Sequence, residues 1–142
     1  MFSIKEIMQF VPHRYPFLLI DRVLDFEPDT RVVTRKNVTM NEHQFQGHFP
    51  GEPVFPGVLI IEAMAQSACF LLSKSAGSLD TSKVYYLGKV GKASFRKPVT
   101  PGDTMEIEVT IITKVGTMAM VEATARVDGK PVAKAELSFA AA

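Results

Sequence analysis

The chain has 142 residues, 46% of them hydrophobic, and carries 16 Lys+Arg against 15 Asp+Glu for a net charge of +1. That length suits one ordinary domain with a real core, read here as spanning residues 1–142, and near-neutrality gives no bulk electrostatic grip on nucleic acid. One cysteine, Cys69, excludes an intrachain disulfide and points to a reducing compartment; MFSIKEIMQF lacks the pattern of a signal peptide, and no run approaches the ~20 apolar residues that span a bilayer. The expectation is a soluble cytoplasmic protein with no nucleic-acid or membrane partner.

In chain order, FSIKEI opens the first element as a capping box, with Ser3 as cap, Glu6 reaching back and Phe2 able to staple onto Ile7. The short helix should run to about Val11 and stop at Pro12. RVVTRKNVT alternates as a strand. A central helix should begin near Gly57 and run to about Ser73, before a loop over KSAGSLDTSK. Beyond it the period becomes two. KVYYL, KASFR, DTMEIEVTIITKV, TMAMVEATARV and PVAKAELSFA read as strands, with Met105, Ile107, Val109 and Ile111 on one face. KVGT and VDGK are hairpin turns, and Asp128-Gly129 suits type I′. The central helix is apolar nearly all round, so it needs burial on most sides. A long antiparallel sheet wrapped around that helix, an α+β arrangement, answers both patterns.

Three residues stand out chemically. His48 sits in GHFPGEPVFPG, where prolines and glycines restrict the backbone. An isolated loop histidine would ordinarily serve a backbone group, but a stiffened loop also holds an imidazole where a general base must be. Glu62 is the one charge in the greasy part of the helix. A glutamate at a helix edge ordinarily snorkels or pairs; between Leu59, Ile60, Ile61, Ala63, Met64 and Ala65 there is little polar surface to reach. Burial would favour its neutral form, which suits a catalytic acid. Gly57 is a turn glycine ahead of the helix, but the first N–H groups there are unpaired and electropositive, and a glycine lets a substrate carbonyl approach them.

Other signals are weaker. His43 and His48 do not make a metal cluster with one cysteine and three histidines. Cys69 reads as an inert core thiol. Neither a phosphate-binding glycine loop nor a dinucleotide fingerprint is present. Lys92, Arg96 and Lys97 form a basic cluster, ordinarily a solvated face and alternatively a seat for an acidic partner. A base, an acid and helix-terminal N–H groups together suit proton abstraction beside a carbonyl with loss of a β-substituent.

The segments PHRYPFLLIDRV, KNVTMNE, FQGHFPGEPVFPGVLIIEAMAQ, FRKPVTPGD and VDGKPVAKAEL closely resemble the (3R)-hydroxyacyl-[acyl-carrier-protein] dehydratases of bacterial type II fatty-acid synthesis, over about residues 9 to 139. The resemblance implies a hotdog fold, and dimers built into a hexamer with each active site at a dimer interface. By position His48 resembles the catalytic histidine, Glu62 the catalytic glutamate and Gly57 the glycine whose N–H binds the thioester carbonyl. Tyr86 falls where some members gate the acyl tunnel, with Phe49 and Phe55 expected to line it. Lys92, Arg96 and Lys97 would then meet the carrier protein. The family implies no metal or redox cofactor; the substrate rides on the phosphopantetheine arm of acyl carrier protein, for fatty-acid elongation and also for unsaturated fatty-acid and lipid A precursor synthesis.

Departures from the family pattern are local. Lys89, Gly91 and Ser94 replace the usual glycine, aspartate and basic residue, Phe55 stands where methionine is frequent and His43 where proline is frequent. These bear on carrier docking and tunnel shape. A dehydratase that also isomerises the double bond typically has aspartate at the acid position, so Glu62 favours simple dehydration. A hotdog thioesterase and a catalytically silent acyl-binding module are the remaining alternatives, and the presence of both His48 and Glu62 argues against the silent one.

Overall fold

The computed structural model describes residues 1–77 and 84–141. Helix α1 (Ile4–Phe10) has the expected capping box: Glu6 N–H donates to Ser3 Oγ, and Ser3 N–H donates to Glu6 Oε1 at 3.3 Å. Val11 ends it in an extended conformation. The Phe2 ring meets Phe26 and Phe70, with centroids 5.9 and 5.5 Å away. Strands β1 (Arg22–Glu27) and β2 (Arg31–Asn37) form a hairpin, followed by a 3-10 turn (His43–Gln46) and the central helix α2 (Gly57–Ser75). Then come β3 (Tyr85–Phe95), β4 (Thr104–Val115), β5 (Met118–Val127) and β6 (Lys130–Ala141). The six strands make one antiparallel sheet in the order β1-β2-β4-β5-β6-β3.

Two differences from the sequence expectation have local causes. β1 escapes the alternation test because a register shift between Val23 and Asp25 breaks its period of two. KVYYL and KASFR are not two strands but one, β3. Its register shifts between Leu87 and Lys89 and between Gly91 and Ser94, and Lys92 sits at φ +50°, so irregularities that read as an interruption are absorbed as bulges. Lys83 and most of the loop expected over 74–83 lie outside the described residues, while Lys74 and Ser75 extend α2.

The hairpins follow their turn chemistry. Asp128 and Gly129 both have positive φ, +52° and +79°, as a type I′ turn requires. Gly116 alone is positive in the two-residue β4–β5 turn. Met105, Ile107 and Val109 are buried on the inner face of β4, and Ile111 is half-buried as the strand leaves the core.

The core is where the sheet meets α2. Ile60 and an unbroken run from Ala63 to Leu72 are buried, so the helix has almost no watery side. By length and composition it would also suit a bilayer, with 19 residues and mean hydropathy 1.4, but 67% of that window is buried inside the protein. The polar side chains in this run find partners: Ser67 Oγ donates to Ala63 O at 2.8 Å and lies 2.8 Å from Thr34 Oγ1 on β2. Gln66 is treated below.

Asp21, just before β1, accepts the Asn37 N–H at 2.7 Å, while its own N–H donates to Arg35 O. Burial raises its pKa despite the opposing Asn37 hydrogen bond. A raised folded-state value means the neutral acid is favoured on folding. The stability this contributes is full below the ordinary value of about 3.9 and is lost as pH rises through the folded value. Asp21→Asn keeps an acceptor for Asn37 without the charge. It should therefore match or exceed the parent Tm at pH 7, with the advantage shrinking towards pH 3. Thermal melts across that range check this; a variant that is weaker at pH 7 and gains on the parent as pH falls would give the opposite sign.

Candidate active site

His48 follows the 3-10 turn. Its N–H donates to Gln44 O at 3.0 Å, its C=O accepts from Val54 N–H at 2.9 Å, and Phe49 and Glu52 exchange both backbone hydrogen bonds across the intervening turn. The loop is closed on itself, as its prolines and glycines imply, with Gly51 at φ +76° where a β-carbon would be strained. The ring Nδ1 lies 2.7 Å from Val54 O. A carbonyl oxygen only accepts, so Nδ1 carries the hydrogen and the neutral ring presents Nε2 as its lone pair. The Phe49 ring, mostly exposed, stacks on the imidazole at 4.1 Å between centroids.

The N-terminus of α2 lies just beyond. Pro56 is its cap and supplies no side-chain hydrogen bond; its carbonyl accepts from Leu59 and Ile60. Among the described residues, the Gly57 and Val58 N–H groups donate to nothing in the chain. The Phe95 ring closes over Gly57, and a β-carbon there would come within 3.1 Å of it. A cleft of about 380 Å³ opens at this point, lined by Val54, Gly57, Ile60, Phe95, Arg96 and Lys97 among others. Free helix-terminal donors beside a roomy cleft suit a polarised carbonyl or an anion.

Glu62, one turn further on, is less isolated than its neighbours in sequence imply. Its side chain is 23% exposed, and it has polar partners. Gln66 Nε2 donates to Glu62 Oε2 at 2.9 Å and to Phe17 O at 2.6 Å, while Gln66 Oε1 accepts from Leu19 N–H at 2.8 Å. The Leu19 donor and the Phe17 acceptor fix the amide orientation, so the fully buried Gln66 clamps Glu62 to the segment before β1. His13 Nε2 approaches Glu62 Oε2 at 3.5 Å. Burial lowers the His13 pKa, outweighing the pull of the Glu62 charge and assisted by nearby Arg14. The contact at neutral pH therefore joins a carboxyl group to a neutral ring rather than two full charges. Its other nitrogen, Nδ1, is buried and has no partner among the described residues.

Gln66 was legible in principle, being four residues from Glu62 on the same helix. His13 carries no such signal, since the chain brings it in from 49 residues away. His48 and Glu62 make no hydrogen bond to each other within the chain, among the described residues. They occupy separate settings: one in the loop, the other facing the His13–Leu19 segment.

The remaining residues are dispersed. Tyr86 is exposed on β3 opposite Ala140. Phe55 is buried, packed against Phe45 at 6.2 Å, and is among the residues that line the cleft. The basic cluster divides, for Arg96 and Lys97 line the cleft while Lys92 makes a surface ion pair with Glu136 at 3.5 Å. His43 lines a second cavity, of about 370 Å³, with Arg14 and Tyr15. Cys69 is a core thiol whose pKa burial pushes up to about 11, out of the reactive range. Among the described residues no group of three His, Cys, Asp or Glu side chains is placed to hold a metal ion.

Known proteins similar to this chain are numerous. The family model of the FabA-like domain matches residues 11–136. The 3-hydroxyacyl-[acyl-carrier-protein] dehydratase FabZ of Proteus mirabilis is 50% identical over 138 residues, covering 97% of this chain and 92% of that protein. The protein of the same name from Vibrio campbellii is 51% identical over the same shares. Among solved structures, the dehydratase heterocomplex ApeI:P from Xenorhabdus doucetiae superposes with a TM-score of 0.81 at 17% identity, covering 94% of this chain and 89% of that one. The uncharacterised protein PH1136 from Pyrococcus horikoshii gives 0.67 at 14% identity, covering 99% and 94%. At those identities the structural likeness speaks to the hotdog fold, whereas the family match and the half-identical relatives speak to descent: this chain belongs to the FabA-like dehydratase family.

Proposed function

We propose that this protein removes water from (3R)-3-hydroxyacyl thioesters carried on acyl carrier protein, giving the trans-2-enoyl thioester for fatty-acid elongation. The observation that carries the reading is the His48–Val54 hydrogen bond, which leaves Nε2 as a fixed acceptor in a rigid loop. His48 Nε2 takes the proton from Cα, and the electrons pass toward the thioester carbonyl, which the Gly57 N–H polarises. As the Cα–Cβ double bond forms, the Cβ–O bond breaks. Glu62 orients the departing hydroxyl and supplies the proton with which it leaves as water. Arg96 and Lys97 beside the cleft suit an acidic carrier protein, with Lys92 on the preceding strand β3. Tyr86 and Phe49, both exposed, are the proposed walls of the acyl tunnel, with Phe55 behind them.

The two halves of this chemistry come from different copies of the chain. Large apolar groups lie uncovered beside each half: Phe49 on the His48 ring, and Tyr15 and Phe17 next to the Glu62 clamp. Strand β3 is also an edge of the sheet, with Leu87 and Val90 exposed on it. A two-fold partner would cover both. His48 would then work with Glu62 of the partner subunit, and three such dimers would make a hexamer.

Replacing His48 by Ala should leave the fold intact and lower turnover by ~10²–10⁴-fold, the usual contribution of a general base. Glu62→Gln should bind substrate and dehydrate it poorly. Mixed and refolded together, the two dead variants should recover about a quarter of wild-type activity. In random reassortment about half the dimers are mixed, and each has one intact site of two. Loss of enoyl absorbance or its gain reports the rate, and a refolded wild-type control must regain its own. A recovered control beside a dead mixture would place the pair within one chain.

Gly57 gives a separate check. Gly57→Ala favours the helix, and its methyl must displace the exposed Phe95 ring rather than backbone. The melt should stay near wild type while kcat/KM falls about 10-fold. That is less than the ~10²–10³ lost on deleting an oxyanion donor, because the N–H remains. Full activity would remove Gly57 from the site.

A further inference from the structure

Strand β2 turns Val32, Thr34 and Lys36 to the interior, so its inward stripe ends on a lysine only 6% exposed. Lys36 Nζ lies 2.8 Å from Glu42 Oε1 and donates to Asn37 O at 3.0 Å. Glu42 is itself the cap residue of the 3-10 turn before His48. Its carboxylate also accepts from Thr39 N–H at 2.8 Å and from Gln44 Nε2 at 3.0 Å. Within that turn stands Gln44, whose carbonyl accepts the N–H groups of both Gly47 and His48. On the other side, Lys36 Nζ stands 5.9 Å above the Phe55 ring, and Phe55 follows Val54, the acceptor of the His48 ring. The ammonium group thus touches both ends of the loop that carries His48: the turn that leads in and the aromatic ring that leads out. Asp21 lies near enough to feel both charges.

A buried ion pair is a poor stabilising device, because desolvation offsets most of the attraction and an apolar pair of similar volume often does as well. What it does supply is a fixed distance between two segments. We infer that the Lys36–Glu42 pair is a positioning device for the proposed base, holding the ends of the 47–54 loop so that the His48 ring keeps its single hydrogen-bonded tautomer. This rests on the reading of His48 as base. Neither residue reaches the reacting atoms; the effect passes through Gln44 on one side and Phe55 on the other.

The test compares Lys36→Met, Glu42→Gln, the double variant and Lys36→Arg in the full-length protein. It uses a 3-hydroxybutyryl thioester as substrate and histidine-labelled protein for nitrogen NMR. Lys36→Met should lower kcat at least 10-fold with KM within about twofold, since misplacements of about 1 Å cost up to ~10²-fold. Glu42→Gln, which keeps shape and acceptor, should lose severalfold. The double variant should be no worse than Lys36→Met, as members of one unit are, and Lys36→Arg should recover most of kcat. In Lys36→Met the His48 signals should change from one tautomer to an average of two. Folded variants with wild-type kcat and an unchanged tautomer would overturn the inference, as would failure of both Lys36→Met and Glu42→Gln to fold, which would make the pair purely structural. Wild-type activity in His48→Ala would instead remove the underlying assignment and is read separately.

Discussion

Almost everything about this molecule depends on the burial of α2. A helix with ten consecutive buried residues has no face to leave in water, so the sheet must wrap it and every polar atom on it must be satisfied from within. Ser67 does this against its own helix and Thr34, and Gln66 does it by binding both backbone groups of the segment before β1. The candidate site arises where that burial ends. At the N-terminal turn the helix reaches the surface with the Gly57 and Val58 N–H groups unpaired among the described residues, and one turn later Glu62 takes its position from a side chain buried beneath it.

Both candidate side chains are held by groups that leave no choice of orientation. For His48 the partner is a main-chain carbonyl six residues away, so the loop carries its own template. For Glu62 the partner is an amide whose other bonds are to backbone, so the carboxylate inherits the rigidity of the core. His13 adds a neutral imidazole rather than a counter-charge, because burial is the largest influence on its titration. Reactive groups fixed in this way need little reorganisation when charge moves, and this is where preorganised sites gain most of their rate.

Much of the fold was legible because its elements obey simple periods. The capping box at Ser3, the inward stripe of β4 and the Asp128-Gly129 turn each follow from a few adjacent residues. β1 was not legible, since a bulge shifts its alternation by one residue. Of the site, His48, Gly57 and Glu62 were marked by unusual local context: a residue type at odds with its neighbours, or a glycine opening a helix. Lys36, Glu42, Gln66 and His13 were not marked. Lys36 looks like an ordinary polar alternation until β2 turns it inward, and the partners of Gln66 lie 47 and 49 residues away in sequence. Burial of a polar group is a tertiary fact, and a local pattern has no access to it.

The two edges of the sheet are unlike each other. At β1 Phe2 takes up the outer backbone groups of Val23, the two residues exchanging both hydrogen bonds at 2.9 and 3.0 Å. At β3 an eleven-residue strand has a neighbour on one side only. A sheet open at both sides can add copies without limit, which is the geometry of fibres. With Val23 on one side taken up by Phe2, joining two β3 sides would consume the longer of the two edges among the described residues. Growth along the hydrogen-bonding direction would then be left with the shorter β1 edge, which the stretch before the first helix partly obstructs at Val23.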